Sequence, residues 1–170
     1  MLDWTPETRQ RVFEEFYQLP ARQVMDTTFA NAAFLPAHCD ITEVLDALVI
    51  ADHAWVRAED RTDRRVNSIV LRQDLLRALE PPHASYTRIS RTRSCSLAHG
   101  SADCVCCFTE GRVLHSVAPD TPCRDVLHVM ETKGVLYVPV VEDGLLIGEM
   151  GALHLLQAVH ALASREATAS

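Results

Sequence analysis

The sequence lacks a long apolar stretch and a leader of the kind that directs export. Its longest apolar run, VLYVPVV at residues 135–141, is far shorter than the roughly 20 residues that a membrane-spanning helix needs. The beginning, MLDWTPETRQ, is polar and charged from its third residue, which is not typical of a signal peptide. We therefore expect no membrane span and a cytoplasmic location.

Positive charge and catalytic motifs are scarce as well. The chain has 16 Lys and Arg against 23 Asp and Glu, a formal charge of −7, whereas nucleic-acid binding requires a basic face. It contains no phosphate-binding loop, nucleophile elbow or metalloprotease motif. These absences predict a protein that is not an enzyme and does not bind nucleic acid. Its 170 residues, 48% of them hydrophobic, suffice for a globular domain with its own core.

What the sequence does contain is an internal repeat of helix, hairpin and helix. In the first copy, DITEVLDALVIADH has apolar residues at helical spacing, and Asp40 and Glu43 have the spacing of a capping box. The strands AWVRA and VNSIVL and the helix RQDLLRAL follow. In the second copy, the helix TPCRDVLHVMETKG begins near Pro122 and ends at Gly134. The strands VLYVPVV and LLIGEM, the turn EDG and the helix GALHLLQAVHAL complete this copy.

The two copies align once two extra loop residues in the first hairpin are removed. Val44 and Leu45 then correspond to Val126 and Leu127, Trp55 and Val56 to Tyr137 and Val138, and Asp74 to His154. A repeat of this length predicts two copies of one small α/β unit, packed pseudo-symmetrically. The expected organisation is an N-terminal helix (1–20), a first motif (21–80), a cysteine-rich insert (81–111), a second motif (112–163) and a tail (164–170). The helix TPETRQRVFEEFY is capped by Thr5, and the closing SREATAS is expected to fray.

These segments resemble the CBS domain, a small module named after cystathionine β-synthase. The family pattern is a strand ending in P-V-V-D/E, a turn, and then G-I-V-T-x-x-D-L-L, and the chain offers AWVRAED…NSIVLRQDLL and LYVPVVEDGLLIGEMGALHLL. ARQVMD resembles the lead-in V-x-D-V-M of a first motif. The resemblance covers residues 21–163 and implies a Bateman module of tandem CBS motifs. Such modules bind AMP, ADP or ATP between the motifs, form homodimers and regulate a partner protein.

The resemblance also implies which residues would hold the nucleotide. In the family a final Asp binds the ribose hydroxyls, and a Ser or Thr three residues earlier lies near the phosphate. The first motif has Asp74 at the first of these positions, but Leu71 at the second. The second motif has His154 and Gly151 there, so at most one ordinary nucleotide site is expected. The full expected set is Asp74, Leu71, Arg72, Val56, His154 and Gly148. In the family's geometry Arg72 and Arg57 lie near the phosphate, and Ser68 stands where the family has Gly.

Asp74 has a second interpretation that needs no ligand. It lies in the first turn of a predicted helix, where the helix dipole favours a carboxylate, so it is equally well explained as a solvated acid. The sequence leaves both interpretations open.

The insert contains CSLAHGSADCVCC, with four of the six cysteines of the chain. Cys95, Cys104, Cys106 and Cys107, with His99 as an alternative ligand, supply the donors that Zn²⁺ or an iron–sulfur cluster requires. The spacing matches no zinc ribbon, so a reactive redox pair and plain packing remain alternatives. Cys123 is expected in the core instead, because Val126, Leu127 and Met130 follow it at helical spacing. Cys39 lies at the entry to the first helix of the first motif and is expected to pack there as well.

Three functional hypotheses follow from these features. The leading one is a stand-alone regulatory module that binds an adenosine nucleotide and signals to an unknown regulated protein. The second is a metal or redox sensor that uses the cysteine-rich insert, with a vestigial nucleotide site. The third is a dimerisation scaffold without a ligand.

Overall fold

A computed structural model of the chain describes residues 4–58, 63–79, 105–109 and 111–169. In chain order its elements are α1 (Pro6–Gln18), a short 3-10 helix (Ala21–Gln23), β1 (Ala32–Leu35), α2 (Ile41–Ile50), β2 (His53–Arg57), β3 (Val66–Leu71), α3 (Arg72–Leu79), α4 (Cys106–Thr109), α5 (Cys123–Lys133), β4 (Tyr137–Glu142), β5 (Leu145–Gly151) and α6 (Ala152–Ala169). They form two units. The central unit is Ala30–Leu114, and the terminal unit joins Met1–Phe29 to His115–Ser170. The mixed α/β fold class expected from the sequence is confirmed.

The central unit is built on a three-stranded sheet in the order β1-β2-β3. β1 pairs with β2 in parallel, and β2 pairs with β3 as an antiparallel hairpin with an irregularity between Val56 and Arg57. Its core contains residues from α2, all three strands, α3 and the segment around α4. The buried members are Leu35, Cys39, Val44, Leu48, Ala54, Val56, Val70, Leu75, Val105 and Phe108.

The terminal unit repeats this plan with a smaller sheet. β4 and β5 form an antiparallel hairpin, and Val117 adds a parallel bridge to Val140 in the place that β1 occupies beside β2. Asp26 forms a further antiparallel bridge with Glu149 at the other edge. The core of this unit combines the hairpin with three helices. Its buried members include Val12 and Phe16 of α1, Cys123 and Val126 of α5, and Leu155, Leu162 and Ala163 of α6.

Local sequence signals explain three of the helix ends. The Thr5 side chain accepts a hydrogen bond from the N–H of Thr8 at the start of α1. At α2 the capping box forms as expected: Asp40 accepts from the N–H of Thr42 and Glu43, and Glu43 accepts from the N–H of Asp40. α5 ends at Gly134, whose φ of 63° lies in the left-handed region that glycine adopts without steric cost.

Two features of the fold differ from the expectation. The end of the chain does not fray at residue 164, because α6 continues through Ala169. Arg165 and Glu166 in this last part pair with Glu15 and Arg11 of α1. β1 is an additional strand that the repeat did not predict. Within the part of the chain that the structure describes, no helix is both long enough and apolar enough to cross a membrane.

Candidate functional site

Asp74, the expected ribose-binding residue, lies in the first turn of α3 at the end of the β2–β3 hairpin. Its side chain is buried, with 7% of its surface exposed, so it is not the solvated acid of the alternative interpretation. Oδ2 accepts a hydrogen bond of 2.8 Å from the backbone N–H of Leu71, the residue directly before the helix. This contact satisfies one of the N–H groups that the start of a helix leaves without a partner.

Arg112 binds the same carboxylate from 38 positions further along the chain. Its Nη1 donates to Oδ2 of Asp74 and its Nη2 donates to Oδ1, each at 2.8 Å. Nη1 also donates to the backbone oxygen of Ile69 at 3.0 Å. The pair is therefore a two-pronged guanidinium–carboxylate contact, which combines charge assistance with a fixed geometry. Sequence reasoning missed Arg112, because no local pattern links it to Asp74.

A short segment anchored in the core of the central unit holds Arg112 in place. Val105 is fully buried, and its N–H donates to the backbone oxygen of Cys39 at 3.1 Å. Phe108 in α4 packs into the same core with 9% of its surface exposed. After α4, the N–H of Arg112 donates to the oxygen of Thr109 at 3.0 Å. The arginine thus starts from a fixed backbone position.

Arg72, one of the two arginines expected to meet phosphate, is the first residue of α3, and its guanidinium lies at the carboxyl end of α2. Its guanidinium donates to the backbone oxygens of Leu48 (3.0 Å) and Ala51 (2.9 Å) and pairs with Asp52 at 3.0 Å. A cation at this position satisfies the last carbonyls of the helix and interacts favourably with its dipole. A phosphate would have to compete with these three oxygens for Arg72.

The other expected positions of the central unit lie in the sheet. Val56, in β2, is 2% exposed and belongs to the hydrophobic core. It pairs with Ser68 of β3, which is also buried. Arg57, the last residue of β2, lies over the ring of Phe34 with its guanidinium carbon 5.8 Å from the ring centre.

His154 occupies in the terminal unit the place that Asp74 has in the central unit. Its Nδ1 accepts a hydrogen bond of 3.0 Å from the backbone N–H of Gly151. A side chain on Gly151 would meet the ring of Tyr137 at 3.0 Å, so the position where the family has Ser or Thr is covered by an aromatic ring. The terminal unit therefore offers neither the carboxylate nor the hydroxyl that the family pattern contains.

Gly148 has a packing role in β5. A Cβ atom there would lie 2.8 Å from Cγ of Met25 and closer still to its Sδ. Gly148 thus leaves the space that the Met25 side chain fills.

The cysteine-rich insert falls largely outside the described residues. Cys95, His99 and Cys104 are not among them, and neither are the side chains of Cys106 and Cys107, whose backbone begins α4. Among the residues that the structure does describe, no group of three or more His, Cys, Asp or Glu side chains has the arrangement of a metal site. The zinc or iron–sulfur expectation gains no support from this part of the chain.

Cys39 and Cys123 are buried, as expected from the position of Cys39 at a helix entry and from the helical spacing around Cys123. Burial raises the pKa of the Cys123 thiol from 9.0 to about 11. Burial also raises the pKa of Cys39 to about 11, and the nearby Glu43 carboxylate acts in the same direction. Since the thiolate is the reactive form and the metal ligand, both cysteines are poor nucleophiles and poor ligands at neutral pH.

Residues 112–161 match the family model of the CBS domain. This segment is therefore similar to a CBS domain. Solved CBS domain structures have the same fold across nearly the whole chain. The CBS domain of the bacterial CNNM/CorC family Mg²⁺ transporter in complex with ATP is 14% identical, covers 91% of this chain and 96% of its own, and has a TM-score of 0.65.

Two further solved structures are similar to the chain. CBSX2 in complex with AMP is 18% identical, with 84% of this chain and 97% of that chain covered and a TM-score of 0.60. The CBS domain of a membrane protein from Sphaerobacter thermophilus is 17% identical, with 89% and 94% covered and a TM-score of 0.61. No curated protein sequence matches the chain.

Proposed function

We propose that this protein is a regulatory CBS module that binds an adenine nucleotide through its central unit, with the ribose on Asp74. The observation that carries the proposal is the position of Asp74 in the first turn of α3, directly after the β2–β3 hairpin. A carboxylate there accepts the two hydrogen bonds that a ribose cis-diol donates. Structures of this fold in complex with ATP and with AMP support the choice of ligand class.

The central unit is the favoured location because only its copy of the repeat has a carboxylate at this position. His154 of the terminal unit offers a single imidazole acceptor, and that acceptor is already bound to the N–H of Gly151. A neutral imidazole accepts at one nitrogen only, so it does not hold both hydroxyls of a ribose. We therefore expect one nucleotide per chain.

Regulation of a partner protein would follow from this binding by a shift between two conformations. A nucleotide shifts such an equilibrium only by as much as its affinities for the two conformations differ. The partner is a second protein whose contact surface is sensitive to this shift.

Isothermal titration calorimetry with AMP, ADP and ATP tests the nucleotide proposal. We expect binding of at least one of the three, and about tenfold weaker binding by D74N, because a neutral amide replaces an ionised acceptor. Asn keeps an acceptor for the N–H of Leu71, so the start of α3 is preserved. D46N is the matched control, since Asp46 is an exposed acid on α2 of the same unit. Absence of binding with all three nucleotides, or equal loss in D46N and D74N, would contradict the proposal.

We also propose that the chain forms a homodimer through the helices of the terminal unit. An apolar groove of about 560 Å³ runs between α5 and α6 and is lined by Leu127, Met130, Glu131, Ala152, Leu155 and Leu156. Leu153 and Leu156 of α6 are 55% and 66% exposed. A two-fold symmetric contact would cover the same groove on both copies with the same leucines.

Light scattering after size-exclusion chromatography tests the dimer. We expect a dimer for the wild type and a monomer for L156E, because a buried unpaired carboxylate opposes association. L136E is the control, since Leu136 is an exposed leucine of the same unit that does not line the groove. A wild-type monomer, or a dimer that survives L156E, would contradict the dimer proposal and leave the nucleotide proposal unaffected.

A further inference from the structure

We propose that Arg112 is an intrachain competitor of the ribose at Asp74, so that nucleotide affinity is set by the release of this arginine. The inference rests on the proposed nucleotide function and adds to it a built-in occupant of the site. It concerns two side chains of the central unit that lie 38 positions apart.

The competition follows from how the carboxylate is used. A ribose cis-diol requires both oxygens of Asp74, and Arg112 already donates to both, at 2.8 Å each. Oδ2 also accepts from the N–H of Leu71, so the hydrogen bond from Arg112 occupies the second lone pair of this oxygen. The guanidinium of Arg112 and the ribose diol therefore bind the same edge of the Asp74 carboxylate.

Because Asp74 is buried, its carboxylate does not bind Arg112 and a ribose at the same time. Asp74 is 7% exposed, whereas the Arg112 side chain that lies against it is 31% exposed. The arginine is the more accessible partner. A ligand that reaches the carboxylate edge must first displace this guanidinium.

The fold holds Arg112 in position beside Asp74. Its Nη1 has a second acceptor in the oxygen of Ile69, and its backbone follows the buried anchors Val105 and Phe108. This pre-organisation favours the closed state in the absence of ligand. The apparent nucleotide affinity is then the intrinsic affinity reduced by the fraction of molecules in which Arg112 has left Asp74.

The chemistry of the two partners determines the direction of the effect. The contact between Arg112 and Asp74 joins two opposite charges, and such hydrogen bonds are roughly twice as strong as those of a neutral hydroxyl. Exchange of the cation for a neutral diol is therefore unfavourable by itself. It proceeds only because the base and the phosphate of the nucleotide make further contacts.

Titration of AMP into the wild type and R112M tests this inference. We expect R112M to bind AMP at least about tenfold more tightly, because Met fills a similar volume without competing for the carboxylate. The dideoxy analogue of AMP, which lacks both ribose hydroxyls, should bind the two proteins equally. R65M is the matched control, since Arg65 is a half-exposed arginine of the same unit that pairs with Asp63. Equal or weaker AMP binding by R112M would overturn the inference.

A second pair of variants covers the case in which R112M does not fold, because Asp74 is then buried without its partner. R112K retains the positive charge but lacks the planar fork, so we expect an intermediate gain in AMP affinity. In the D74N background, R112M should change AMP affinity by less than about twofold, because the competed carboxylate is absent. A full gain in that background would overturn the inference.

The two proposals fail in different ways. If the wild type binds AMP in an Asp74-dependent manner and no Arg112 variant gains affinity, only the competition by Arg112 is refuted. If neither the wild type nor any Arg112 variant binds AMP, ADP or ATP, both the nucleotide function and the competition are refuted.

Discussion

The backbone N–H of Gly151 donates a hydrogen bond of 3.0 Å to Nδ1 of His154, three residues further on. The N–H of Leu71 makes the corresponding bond of 2.8 Å to Asp74 in the other repeat. In both, the residue before a helix is bound by a side chain of the first helical turn, which is one half of a capping box. The imidazole thus preserves the structural part of the motif while the carboxylate, the part suited to a ribose, is absent.

Replacement of His154 by Ala should lower the free energy of unfolding by about 0.5–2 kcal/mol, the range for loss of a capping contact. H154D should have a urea midpoint close to that of the wild type, because its carboxylate accepts from the N–H of Gly151 as Asp74 does from the N–H of Leu71. Urea denaturation measures both. H160A is the control, because His160 is an exposed histidine of the same helix. Equal midpoints for H154A and H160A would show that the hydrogen bond contributes nothing.

Replacement of Gly148 by Ala should destabilise the protein by about 1–3 kcal/mol, the cost of an added methyl group in a well-packed core. The new Cβ would overlap the Met25 side chain. M25A should remove the overlap, so G148A should cost much less in the M25A background. A double-mutant cycle by urea denaturation gives this coupling. If the destabilising effects of G148A and M25A are additive, overlap with Met25 is not the cause of the G148A effect.

The folded protein should lose stability in alkaline solution through Cys123. Burial raises the pKa of this thiol to about 11, above the unfolded value of 9.0. The stability that the neutral thiol provides is complete below pH 9.0 and is lost as the pH rises through about 11. C123A should therefore show a flatter decline of the urea midpoint between pH 8 and pH 11 than the wild type.

The control for this pH effect is V126A, which also removes side-chain volume from the buried face of α5. Its midpoint should be lower at every pH, but its decline between pH 8 and pH 11 should follow that of the wild type. Parallel declines in C123A and the wild type would assign the alkaline loss to groups other than this thiol.

Replacement of Asp40 by Ala should cost about 1 kcal/mol of unfolding free energy, because the N–H groups of Thr42 and Glu43 lose their acceptor. D40S should retain most of the stability, since a serine hydroxyl serves the same role. Thermal unfolding followed by circular dichroism measures the difference. D46A, an exposed acid within the same helix, is the control, and an equal loss there would argue against a specific capping role.

Much of the fold was predictable because its signals are local. The capping box at Asp40, the left-handed glycine at Gly134 and the helical spacing around Cys123 each depend on residues within one or two turns. The Asp143-Gly144 turn of the second hairpin, with both φ angles positive, belongs to this group as well. β1 escaped prediction because four residues of a short parallel strand, Ala32–Leu35, carry little periodicity.

The sequence by itself determined the repeat and its helices and strands, since hydrophobic periodicity and caps act over a few residues. It also determined that only one copy of the repeat has a carboxylate at the candidate ribose position. Only the tertiary structure decided the surroundings of that carboxylate. The contact between Asp74 and Arg112 joins residues 38 positions apart through the packing of Val105 and Phe108, and no local pattern encodes a contact over such a distance.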